Sequence, residues 1–239
     1  MRTLYSLILL FSVTLQTATA GMEAIWELPT KDMRVKVEYL NQNNIRISIE
    51  EDLYLLIKEP NIYMINGSSV TDVNAFREKI KDWRIVRFLS KKMDSRSQRI
   101  PPPDSLKASG KFETVAGIQG EIYNAVITNS ETGEKENREI VLSKHPKLVE
   151  LKQAMRAISD RNMKTFHNKG FAHMKNAMQN SFPSDVSILR YGEKFHIAYF
   201  SEKDLPKERF LLPANAPIKE LPSISDLTAF MRLAVPLSH

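Results

Sequence analysis

The chain has no cysteine among its 239 residues. That excludes a disulfide framework, thiol catalysis and cysteine-ligated zinc. It also excludes lipid attachment through a cysteine at an N-terminal cleavage site. Beyond residue 20 no apolar run approaches the roughly 20 residues of a membrane-crossing helix. Catalytic signatures are missing too. There is no Gly-x-Ser-x-Gly elbow, no His-Glu-x-x-His zinc helix, no phosphate loop and no dinucleotide fingerprint. These absences lower the expectation of an enzyme, and no cofactor is implied.

What is present describes a folded, exported chain. Hydrophobic residues make up 42% and charged residues 26%, so bulk disorder is not expected. The first 20 residues read as a secretory signal. Arg2 supplies the positive start, Leu4 to Leu15 the apolar stretch, and Ala18-Thr19-Ala20 the small-x-small cleavage motif before Gly21. The remainder, 21–239, suits one domain. Export without cysteine points to a bacterial periplasm. A cytoplasmic nucleic-acid role is not expected, although the net charge is +6 and the pI about 9.4. Asn66-Gly67-Ser68 is read as a tight turn in preference to a glycosylation acceptor.

Strand patterns dominate the start. Ala24-Ile25-Trp26 begins it. Met33, Val35, Val37 and Tyr39 alternate with Arg34, Lys36 and Glu38, and Ile45, Ile47 and Ile49 repeat the period. Leu53 to Ile57 and Ile62 to Ile65 are nearly continuous apolar runs, as expected of strands covered on both faces. A helix is predicted on Val73, Phe76, Ile80 and Trp83, capped by Ser69 or Thr71. Residues 90–110 read as a long basic surface loop containing Pro101-Pro102-Pro103. Strands resume at Phe112, with a turn over Gly117 to Gly120, then Ile122 to Thr128 and Ile140 to Leu142. Leu148, Leu151, Met155 and Ile158 mark a helix that Ser159 to Asn162 is expected to interrupt; a second helical stretch runs to Asn180. Val186 to Arg190 and Phe195 to Phe200 read as a hairpin, Phe210-Leu211-Leu212-Pro213 as a last short strand, and Ile224 to Val235 as a short end helix.

Two stretches carry a resemblance. Gly117-Ile118-Gln119-Gly120-Glu121-Ile122-Tyr123 resembles the G-x-x-x-x-x-Y strand entry of a periplasmic domain family of unknown function. Leu205-Pro206-Lys207-Glu208-Arg209-Phe210-Leu211-Leu212-Pro213 resembles that family's closing P-x-x-x-F-x-x-P stretch. That family is similar to the lipoprotein-carrier half-barrels. The resemblance spans about residues 22–222 and implies an α+β fold: a curved antiparallel sheet, an open half-barrel, with helices covering its concave face. It implies no catalytic residue. A vacant part of such a face is an apolar cleft for a lipid or a lipid-modified protein; a filled one is simply core. The strand pattern allows both.

Three residue groups bear on function. Lys79, Lys81, Arg84, Arg87, Lys91, Lys92, Arg96, Arg99, Lys107 and Lys111 form a basic stretch. It suits an anionic membrane surface or an acidic envelope partner, and a solvated face is the preferred reading. Met163, His167, His173, Met174 and Met178 combine ligand types that suit Cu(I), with core packing preferred. His145, His196 and His239 show no recognisable acid–base partner, and Glu50, Glu51 and Asp52 read as exposed acids at a strand start. The leading expectation is a non-enzymatic periplasmic protein holding a hydrophobic ligand or lipid-modified protein. An envelope protein–protein interaction module is the alternative, and copper binding ranks third. No ligand-binding or metal-ligating residue is assigned, and the oligomeric state is left open.

Overall fold

The computed structural model describes residues 21–29, 32–80, 103–129, 132–163, 182–221 and 223. Alternation and tight turns build a meander first: β1 (Gly21–Leu28), β2 (Met33–Asn41), β3 (Asn44–Ser48), β4 (Leu53–Lys58), β5 (Asn61–Asn66) and β6 (Ser69–Asp72). Gly67, at φ +57°, opens the two-residue β5–β6 turn, where a left-handed backbone is needed. Helix α1 (Val73–Ile80) follows directly. Asp72, rather than Ser69 or Thr71, caps it. Its Oδ1 accepts from the amides of Asn74 and Ala75 at 2.8 and 3.0 Å, while Ser69 and Thr71 remain in the β6 ladder.

The second half comprises β7 (Ser105–Val115), β8 (Ile118–Thr128), β9 (Lys135–Ser143), α2 (Pro146–Met163), β10 (Ser187–Tyr191) and β11 (Phe195–Lys203). A 3-10 turn (Lys207–Phe210) and the two-residue β12 (Ile218–Lys219) end the described chain. All strands join one open sheet in the order β12-β6-β5-β4-β3-β2-β1-β11-β10-β9-β8-β7. Every pair is antiparallel except β12 with β6. The β1–β11 pair is the seam between the two halves.

Four further sequence expectations are corrected. The basic loop ends early, because Ser105 to Ala108 already pair with Val126 to Tyr123 in β7–β8. The turn between β7 and β8 is confined to Ala116 and Gly117, at φ +51° and +83°, so Ile118 to Gly120 belong to β8. Helix α2 runs through Ser159 to Asn162, whose intrinsic helix penalties of a few tenths of a kcal/mol each do not break a helix as glycine or proline would. Residues 210–213 are not a strand. Pro206 and Pro213 withdraw backbone donors, and the chain closes a 3-10 turn onto Phe210 instead.

The main core lies on one face of the sheet, the first face. Val35, Val37 and Tyr39 of β2 meet Ile45 and Ile47 of β3 and Leu55 and Ile57 of β4 there. Leu148, Leu151, Ala154 and Ile158, spaced three, three and four apart along α2, are buried in the same cluster. The Tyr39 hydroxyl donates to Glu150 Oε1 at 2.7 Å, and Lys152 Nζ donates to the carbonyls of Pro183 and Val186 at 2.8 and 2.6 Å. These bonds tie the helix to the sheet and to the chain entering β10.

The far end of the sheet curls. In a flat sheet β7 and β11, four strand steps apart, would be separated by roughly 19 Å. Here they approach within 8 Å at their Cα atoms. Arg190 of β10 reaches Glu113 of β7, donating from Nε at 2.9 Å and Nη2 at 2.6 Å. Irregular pairing permits the bend. β7 advances from Ala108 to Phe112 while its partner moves only from Tyr123 to Glu121, and β10 slips between Ile188 and Arg190. Gly120 leaves room inside the curl. A Cβ there would lie 2.6 Å from Val141 Cγ1 and 2.9 Å from the Leu142 carbonyl.

Candidate functional site

Two parts of the molecule concentrate chemistry. The first is the margin of the main core. Trp26 and Met33 are cross-strand neighbours of Val35 and Leu28, and Ile49 follows β3. With Ile122, Met155 and Phe200 they are partly open side chains packed against the buried cluster. At this margin, apolar side chains that pack on the buried cluster are also partly exposed to solvent.

The second lies on the opposite face of β1–β6. Leu56, Tyr63, Ile65 and Val70 form a second apolar cluster with Leu205 and Phe210 of the segment following β11. This explains why β4 and β5 carry continuous apolar runs: both of their faces are covered. Beside that cluster sits Glu38, only 1% exposed. In the alternation of β2 it occupies a nominally outward position, yet Arg209, 171 residues later, covers it. Arg209 Nη2 donates to Oε2 at 2.8 Å, and its Nε lies 2.6 Å from Oε1 as an ion pair. Arg46 and Lys36 stand 3.7 and 3.9 Å from the same carboxylate. Arg46 also lies over the Tyr54 ring, 3.7 Å from its centroid.

The charge array extends to the seam. Glu23 of β1 accepts contacts from Lys36 at 2.9 Å and Lys203 of β11 at 3.0 Å. Burial alone would raise the Glu23 pKa. The hydrogen bonds from Lys36 and then Lys203 outweigh it and hold the carboxyl below its ordinary value. Two histidines near this seam also face carboxylates, His196 across it and His145 from the β9–α2 connection. His196 Nε2 is 3.4 Å from Glu27 Oε2, and His145 Nε2 is 3.3 Å from Glu202 Oε1, with its ring edge-on to Phe200. Both pairs escape a linear reading because they depend on the register between β1 and β11 and on the β9–α2 connection.

The sequence candidates are dispersed. Glu50, Glu51 and Asp52 are exposed in the β3–β4 turn. Lys79 pairs with Glu220, while Lys107 and Lys111 are exposed on β7. The other basic candidates, Lys81, Arg84, Arg87, Lys91, Lys92, Arg96 and Arg99, lie outside the described residues, as do His167, His173, Met174, Met178 and His239; Met163 ends α2. Among the described residues no group of three or more His, Asp or Glu side chains is placed to hold a metal ion, and no helix is long and apolar enough to cross a membrane. No family model, curated protein or solved structure matches the chain.

Proposed function

We propose that this is an exported, non-enzymatic protein that holds a hydrophobic ligand, or the acyl chain of a lipid-modified protein, against the first face of its open sheet. In this reading the sheet is a half-barrel whose concave face is covered by α1 and α2, and the protein works in the periplasm. The supporting observation is the margin formed by Trp26, Met33 and Ile49, where partly open apolar side chains pack on the buried cluster. An acyl chain entering there would gain roughly 0.8 kcal/mol per buried methylene, so about ten methylenes would supply roughly 8 kcal/mol before the costs of ordering.

The test is organic extraction of the full chain purified from the envelope, followed by mass spectrometry, together with titration of a fluorescent fatty acid. Recovery of acyl lipid and saturable probe binding are expected. Charged residues at the margin, Met33→Lys with Ile49→Lys, should weaken probe binding at least tenfold while the cooperative melt persists. An empty extract together with absent probe binding rejects the reading.

A further inference from the structure

The segment after β11 lies as a strap across the second face. Leu205 packs beside Gly21 of β1, whose Cβ position would lie 2.9 Å from Leu205 Cδ1. Arg209 meets Glu38 of β2, the 3-10 turn touches β3, and Phe210 enters the cluster of Leu56, Ile65 and Val70. Ile218 and Lys219 finally pair with Val70 and Thr71 at the sheet edge. The strap thus traverses β1 to β6 in order.

Its backbone is attached differently from any neighbouring strand. Between the end of β11 and β12, the observed backbone bonds close local turns: Arg209 to Pro206, Leu211 to Glu208 and Ala216 to Pro213. Pro206, Pro213 and Pro217 have no amide hydrogen to donate. Up to β12, attachment to the face rests on the buried Leu205 and Phe210, the partly buried Leu212 and Ala216, and the Arg209–Glu38 pair; the end of the strap adds only the two-residue β12–β6 pairing and the Lys219–Ser69 hydrogen bond. Segments with few ladder bonds and few buried contacts open at lower free energy than the sheet beneath them.

The charges are arranged so that opening leaves no stranded ion. Glu38 is faced by Lys36 on its own strand, Arg46 on β3, Arg209 on the strap and, through shared Lys36, Glu23 on β1. When the strap lifts, Glu38 keeps Arg46 and Lys36, and Arg209 enters water. We propose that residues 205–219 form a lid that opens as a unit, separately from the sheet, with the Arg209–Glu38 pair as its catch. Opening uncovers the apolar second face over β4, β5 and β6. This inference stands independently of ligand binding on the first face.

Hydrogen exchange read by mass spectrometry on the full chain, across a low-denaturant series, tests it. In the unaltered protein, peptides covering 207–213 should exchange by an opening with weaker denaturant dependence than peptides from β4. In Arg209→Gln those strap peptides should exchange at least tenfold faster, with β4 and β8 protection unchanged within about twofold; Arg209→Lys should restore part of the protection. The lid is overturned if strap and β4 exchange in one cooperative step. It is equally overturned if Arg209→Gln leaves the strap unchanged, or if that variant loses protection throughout the sheet.

Discussion

The two halves of the sheet solve the covering of strands in different ways. Between β1 and β6 the strands pair in nearly regular register through short turns, and both faces carry buried apolar clusters: the main core, which α2 joins and to which Tyr39 ties it, on one side, and the cluster under the strap on the other. Between β7 and β10 the sheet bends, so that Glu113 reaches Arg190 and Val115 and Ile118 join the main core; α2 lies against β10, and Val186 and Phe182 of the segment entering β10 complete a further cluster with Ala125, Ile127, Ile140, Leu142 and Tyr191. The edge strand β7 is then left largely exposed, with Phe112 at 62%. Regular pairing makes a platform covered by other segments; register slips and a missing Cβ make a curl that also closes on itself.

The sharpest challenge to this contrast compares deletions in the two halves. Leu56 is fully buried on the strap-covered face. Leu56→Ala should cost about 3 kcal/mol in urea unfolding. Phe112→Ala, removing a larger side chain from β7, should change stability by less than about 0.5 kcal/mol. Comparable losses would mean that the second face is not a true core layer and that β7 is not a free edge.

The curl has its own weak point at Gly120. An added methyl would meet Val141 Cγ1, Leu189 Cδ1 and the Leu142 carbonyl, and the last is backbone that cannot rotate away. Gly120→Ala should therefore cost about 2 kcal/mol. It should also raise amide exchange in β7 and β8 while leaving β3 and β4 protected. A neutral result would show that the bend has slack and that Gly120 does not determine it.

The contrast was only half readable from the amino-acid pattern. Val35, Val37 and Tyr39, and the Leu148–Leu151–Ile158 stripe, announce local periods that tertiary packing then uses. The double burial of Leu53 to Ile57 was also readable, because a solvated face would have required polar alternation. Glu38 was not. It follows the same alternation as Arg34 and Lys36, and only a strap arriving 171 residues later buries it. Phe210 misleads for a related reason: the apolar triplet 210–212 carries a strand pattern, and the flanking prolines, which withdraw amide donors, override it. The curl rests on register slips and on the absence of one Cβ, neither of which leaves a periodic signal. The His145–Glu202 and His196–Glu27 pairs were hidden because long-range strand order sets them.

Alkali probes the tie between platform and helix. Burial first, and then the bond to Glu150, push the Tyr39 pKa well above its ordinary 10.0. A raised folded value means that the folded state holds its proton longer than the unfolded chain. The resulting stability is complete below pH 10 and declines as pH rises toward the folded value. Tyr39→Phe should cost about 1 kcal/mol at neutral pH through the lost hydrogen bond. It should also flatten the decline measured by urea unfolding between about pH 9 and 11. Tyr191, which burial pushes up to about 12, leaves a residual slope. An unchanged slope in Tyr39→Phe would place the alkaline sensitivity away from the α2 tie.

Acid probes the seam, with the smallest expected effect. Glu23 on β1 is held by Lys36 and by Lys203 across the β1–β11 junction. Its folded pKa is lowered from 4.5 because those hydrogen bonds outweigh burial. The sign is therefore opposite to that of Tyr39. The stabilisation is present above the ordinary carboxyl value and is lost as pH falls through the folded one. Lys36 and Lys203 are 34% and 43% exposed, so screening limits the effect to under about 1 kcal/mol. Glu23→Gln should remove that part of the acid sensitivity, and added salt should shrink the difference between variant and parent. If platform and curl unfold as one unit, the effect shifts a single urea midpoint. If they separate, weakening the seam in acid resolves two transitions, and the variant already shows them at neutral pH.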